Sequence, residues 1–185
     1  MNRRRLAASA LLLPTLLLAA CEADPAADHL GGFGDPVRGA ALNAPRLLGD
    51  TSQLAGRPAQ AALAAVQLEV LADAFRTDPR YMHDVSGTAR ASVEAGRAEM
   101  RQAIGIAPDA APATVIAQLR EAAAALDAGS RVRAEAALTG PAFPNGGAAT
   151  LTRLGRLPFL PRVSEAAGAA NQEIGRLNRR NTRSG

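Results

Sequence analysis

Cysteine is almost missing from this chain. Cys21 is the only one in 185 residues, so no disulfide can form within it. There is no tryptophan, Tyr81 is the sole tyrosine, and every basic residue is arginine. Histidine occurs twice, at positions 29 and 83, too sparsely to supply the ligand set of a zinc site. The haem attachment spacing, a phosphate-cradling glycine loop and a serine elbow of the G-x-S-x-G type are likewise missing. No metal and no cofactor is therefore expected. Long apolar runs are missing too. The longest, residues 6–18, falls short of the roughly 20 residues a spanning helix needs, and Pro14 interrupts it.

That short run has a different meaning in its setting. Arg3, Arg4 and Arg5 precede it, and the small residues Ala19 and Ala20 follow. A positive start, an apolar centre and a small-residue end form the three parts of an export signal, here residues 1–20. Leu18-Ala19-Ala20-Cys21 resembles the lipobox of bacterial lipoproteins. The resemblance covers only residues 1–21. It implies cleavage before Cys21, acyl chains on its thiol and amino group, and a membrane as the first partner. Glu22 stands where that class carries Asp for inner-membrane retention, which points to the periplasmic face of the outer membrane. Two or three acyl chains hold a protein stably where one does not.

Removing the signal also removes three arginines, leaving 18 against 17 acids, so the high isoelectric point is no case for nucleic acid. The remaining charge is unevenly placed. Residues 21–128 carry 9 Arg and 14 acids, whereas residues 129–185 carry 9 Arg and 3 acids. Two explanations stay open: the halves pair with each other, or the basic end meets an anionic partner.

Residues 21–34 are Ala, Asp, Pro and Gly with little to bury and read as a flexible tether. A single helical domain is expected over 35–178, with a disordered basic tail over 179–185. Alanine, the strongest helix former, dominates the domain, and the apolar spacing is helical throughout. The pattern predicts an all-α fold: a compact Ala-rich bundle of about three long and two or three short helices. Asp35-Pro36 opens a first helix that Pro45 closes early. Long helices follow over about 58–76, from Asp84 or Ser86 to Ile104, and from Pro108 to Gly129. Ser130, Ala148 and Pro161 start the remaining ones.

The densest polar cluster is Asp78-Pro79-Arg80-Tyr81-Met82-His83-Asp84. An imidazole between carboxylates can act as a base or ligand, so Tyr81, His83 and Asp84 are the candidate site. The simpler reading makes Asp84 a helix cap and His83 a solvated loop residue. The carboxylate pairs Glu69/Asp73 and Glu94/Glu99 read as solvated helix faces beside arginines. Arg176, Arg179, Arg180 and Arg183 are candidates for contact with an anionic surface. The expected function is a non-catalytic binding or structural module of the envelope, whose partner is a protein or an anionic envelope polymer. The alternative is a small-ligand carrier or enzyme with a pocket near Tyr81 and His83.

Overall fold

Asp35 starts the first helix, as its sequence context predicts. Its carboxylate accepts the amides of Val37 at 3.1 Å and Arg38 at 3.3 Å, and Pro36 fits the first turn. The computed structural model describes residues 35–183, so the expected signal, Cys21 and the expected tether lie outside the described residues. Within them the protein is all-α: α1 (Pro36–Leu48), a 3-10 turn (Thr51–Leu54), α2 (Pro58–Thr77), α3 (Gly87–Ile104), α4 (Pro112–Asp127), α5 (Arg131–Ala137), α6 (Gly146–Leu154) and α7 (Pro161–Arg183).

Pro45 does not close α1; the helix runs through it to Leu48. A proline there leaves the carbonyl four residues back, Ala41, without its helical donor. The Asn171 side chain on α7 donates to that carbonyl and to Leu42 O, both at 3.3 Å. A tertiary bond thus replaces the lost local one.

α2 is the central helix. It packs against α1, α3, α4 and α6 and is buried on nearly all sides, as a helix without a polar face must be. Its stripe includes Leu68, Leu71, Ala72 and Phe75, all essentially inaccessible to solvent. Asp78-Pro79 ends it. Ser86, not Asp84, caps α3 by accepting the amide of Ala89 at 3.2 Å. Gly105, at φ 84°, ends α3 in the left-handed conformation that glycine adopts without strain.

α4 begins at Pro112 rather than Pro108 because the intervening backbone is otherwise engaged. Arg101 lies buried at the end of α3. Its guanidinium donates to Ala107 O at 3.3 Å, Pro108 O at 2.9 Å and Ala110 O at 2.9 Å. Its other nitrogens form a two-pronged pair with Glu69 on α2, at 2.6 and 2.7 Å. The expectation of a solvated Glu69 is thereby overturned: the residue is 3% exposed. Arg101 makes that burial tolerable, since the carboxylate and the guanidinium satisfy each other.

α7 packs against α3 and α1. Small residues set the α3–α7 spacing. A Cβ placed on Gly96 would lie 2.6 Å from Ala166 Cβ and 2.9 Å from Arg162 O. Glu99 fastens the same contact by accepting the amide of Val163 at 3.0 Å, in the first turn of α7. The 3-10 turn is tied to the α6–α7 connection through Thr51, whose buried hydroxyl donates to Pro158 O and accepts from Leu160 N at 3.0 Å.

The basic end is helical to Arg183, where the sequence predicts a disordered tail from position 179. No glycine or proline interrupts the helix after Gly175, and charge pairs secure it. Arg176 meets Glu173 at 2.7 Å, and Arg180 meets Asp84 at 2.6 Å. The second of these joins the acidic and basic halves of the chain.

Candidate functional site

The cluster at 78–84 folds into the turns between α2 and α3. Tyr81 is buried, and its ring lies 6.3 Å from that of Phe75. Its hydroxyl donates to the Asp35 carboxylate, the same group that caps α1. Burial, and then that bond, push the Tyr81 phenol above its ordinary range, so it stays a neutral donor. Arg80 closes over the pair, reaching Asp78 at 2.6 Å and Asp35 at 3.4 Å. Asp78 is held below the usual carboxylate range, chiefly by the Arg80 hydrogen bond.

Asp84 faces the other way. It is exposed and salt-bridged to Arg180, whose hydrogen bond is the main cause of its lowered pKa. The Asp84 carboxylate therefore pairs with α7 instead of capping α3. His83 is exposed beside it and does not line the adjoining cleft of about 290 Å³, whose walls include Asp35, Arg38, Tyr81, Asp84 and Arg180. The structure brings Tyr81 and Asp84 to one cleft and leaves His83 outside it. Glu173 is also committed. It accepts the Ser86 amide at 2.6 Å and pairs with Arg176, whose hydrogen bond is the main cause of its lowered pKa. Asp78, Asp84 and Glu173 are each held ionised by a structural partner, which makes them weak proton acceptors.

Of the four C-terminal arginines expected to face an anionic surface, Arg176 and Arg180 are engaged within the fold. Arg179 is exposed, with its guanidinium near Gly175, and the Arg183 side chain lies outside the described residues.

A second concavity has no counterpart among the sequence expectations. A groove of about 700 Å³ runs between the end of α1, the first half of α2 and the second half of α4. Leu63, Val66 and Val70 on α2 and Ala123 and Ala124 on α4 form its apolar walls, with Leu47 from α1. Leu63 and Val70 are apolar residues of α2 that are only partly covered. Arg46, Arg57 and Arg120 stand along it, against one acid, Asp127. Arg57 is anchored at the start of α2 by donating to Gln53 O.

Gln67 belongs to the α2 wall, but its amide is sealed beneath the surface. The residue is 4% exposed, and neither its amide nitrogen nor its amide oxygen has a hydrogen-bond partner. Buried side-chain amides are ordinarily paired, so an unpaired one requires a reason. Its one sequence signal is an amide standing alone inside an otherwise apolar stretch, residues 61–68. Among the described residues no helix is long and apolar enough to cross a membrane. Comparison with protein-family models, with curated proteins and with solved structures finds no match for this chain.

Proposed function

We propose that this protein is a non-catalytic helical binding module, tethered to the periplasmic face of a bacterial outer membrane by acyl chains on Cys21. The observation that carries the binding part is the open apolar groove of about 700 Å³ between α1, α2 and α4, with Leu63 and Val70 only partly covered in its wall. A volume of this size lies within the range of ligand sites, which are mostly apolar with a few placed polar groups. Saturable binding of a fluorescent apolar dye that Leu63→Glu and Val70→Glu abolish, with helical content kept, supports the reading, and equal binding by variants and wild type overturns it.

Replacing Gln67 by Leu reads what the sealed amide does for the fold. A buried amide lacking partners costs about 1–3 kcal/mol, so Gln67→Leu should stabilise the free protein by an amount of that order. Urea unfolding of the two proteins reads the difference. Loss of stability in the variant would mean that the amide serves the fold.

The anchor is supported by the run Leu18-Ala19-Ala20-Cys21 behind a charged and apolar leader. Intact-mass analysis of the protein isolated from bacterial membranes should show a chain beginning at Cys21 with acyl mass added. Cys21→Ser should abolish that mass and the lipid-dependent membrane association together. A mature chain beginning elsewhere, or beginning there without lipid, rules the anchor out.

A further inference from the structure

We propose that the end of the bundle around the α6–α7 connection is a docking face for an anionic lipid bilayer, with Phe159 as its inserted residue and arginines at the headgroup level. The inference goes beyond the groove and the acyl anchor: it adds a contact made by the folded domain itself.

Phe159 is the one exposed aromatic side chain among the described residues, at 52%. Its exposure is built in. Leu157 and Leu160 on either side are buried in the core, and Thr51 holds the backbone between them through Pro158 O and Leu160 N. Pro158 and Pro161 fix two further φ angles. A ring presented on a loop held at both edges loses little freedom when it enters a bilayer, so little of its transfer energy is spent on ordering.

Arginines surround it. Arg156 and Arg162, three residues before and after, are both exposed. Gly56 N donates to Gly155 O at 2.9 Å, which sets Arg57 beside Arg156. The Gln53 side chain donates to Arg46 O at 3.0 Å, and Arg57 donates to Gln53 O, so the end of α1 joins the same face. Residues 46–57 and 153–162 together carry five arginines and one acid, Asp50, whose carboxylate accepts from Ser52. Of the five, Arg153 is turned toward Gly105. An apolar side chain ringed by cations fits the bilayer interface, where hydrocarbon lies beneath a layer of phosphates. A soluble polyanion would pair with the arginines and leave Phe159 in water.

This face lies roughly 25 Å along α7 from Arg176 and Arg180, the arginines already engaged within the fold. Residues 21–34 can span at most roughly 46–50 Å. α1 is about 20 Å long, so an anchor at Cys21 leaves this end free to reach the same bilayer.

The test places a single tryptophan, which the natural chain lacks, in the full protein. Phe159→Trp reads the proposed face, and Leu42→Trp, at a position 51% exposed on α1, is the control. Each is mixed with vesicles of phosphatidylcholine, alone or with phosphatidylglycerol, whose acyl chains are brominated to quench an inserted indole. The expected result is quenching of Phe159→Trp in the anionic vesicles, relieved by salt, with Leu42→Trp bright in both. Adding Arg57→Gln, Arg156→Gln and Arg162→Gln should weaken the contact on the order of a hundredfold, about fivefold for each charge. Circular dichroism checks that this variant keeps its helices, and the salt titration of the parent decides the matter if it does not. Quenching that is equal in neutral and anionic vesicles, or that survives loss of the three charges, overturns the electrostatic contact. No quenching in anionic vesicles overturns the docking face. An emission shift with soluble polyphosphate and none with vesicles assigns the face to a polyanion and overturns the bilayer assignment. A chain without acyl groups still gives the expected pattern, so failure of the anchor and failure of this contact are separate results.

Discussion

Arg101→Met destabilises the protein by about 3–5 kcal/mol, the usual consequence of stripping one partner from a buried ion pair. The side chain links three elements at once: the Glu69 carboxylate on α2, its own helix α3, and the turn leading to α4. Its loss leaves the Glu69 charge buried, with Arg97 at 4.0 Å as the remaining cation. It also leaves the carbonyls of Ala107, Pro108 and Ala110 without their guanidinium donor. The double variant Arg101→Met with Glu69→Leu should recover a large part of the loss, since well-packed apolar residues often replace a buried pair at little cost. Recovery stays incomplete because the three carbonyls still lack their donor. Urea unfolding of wild type, both single variants and the double variant gives the coupling directly. Additive effects would show that Glu69 and Arg101 stabilise the fold independently, contrary to the geometry.

Two glycine-to-alanine changes should act in opposite directions. In helix interiors alanine is favoured over glycine by about 1 kcal/mol, so propensity alone predicts a gain at each. Gly168, on α7, has open space where a Cβ would be, and Gly168→Ala should show that gain. Gly96, on α3, has the Ala166 methyl group and the Arg162 carbonyl in the way, at 2.6 and 2.9 Å. Gly96→Ala forces α3 and α7 apart, and overpacking of this kind costs about 1–3 kcal/mol, enough to reverse the sign. Thermal unfolding of the two variants under one set of conditions decides the matter. A gain at both positions would mean that α7 shifts freely over α3 and that the close approach is not a constraint.

The helices are legible in the sequence because their signals are local. Apolar spacing, Pro58, Asp78-Pro79, Ser130 and Pro161 mark boundaries close to those observed. Where structure and expectation part, a distant residue decides the outcome. Pro45 is a helix breaker by every local rule, and only Asn171, more than a hundred residues later, explains why α1 continues. Glu69 sits four residues before Asp73 and looks like half of a wet charged face, yet Arg101 draws it inside. The cluster at 78–84 promises chemistry because its residue types are reactive. Its partners Asp35 and Arg180, at opposite ends of the described chain, turn those groups into fasteners. Gln67 is silent for the complementary reason: a single amide in an apolar run has no pattern, and only the fold shows that it is buried unpaired.

The fastening of Asp35 has a mechanical consequence. α1 and α7 run antiparallel: Asp35 shares a cleft with Leu177 and Asn178, and Asn171 reaches Ala41 and Leu42. Tyr81 and Arg80 grip the Asp35 carboxylate at one end of that pair, and Asn171 holds its middle. Helix ends ordinarily fray, but the first turn of α1 is pinned through its own cap. That turn therefore opens only together with the turns between α2 and α3, which makes its loosening a collective event instead of a local one.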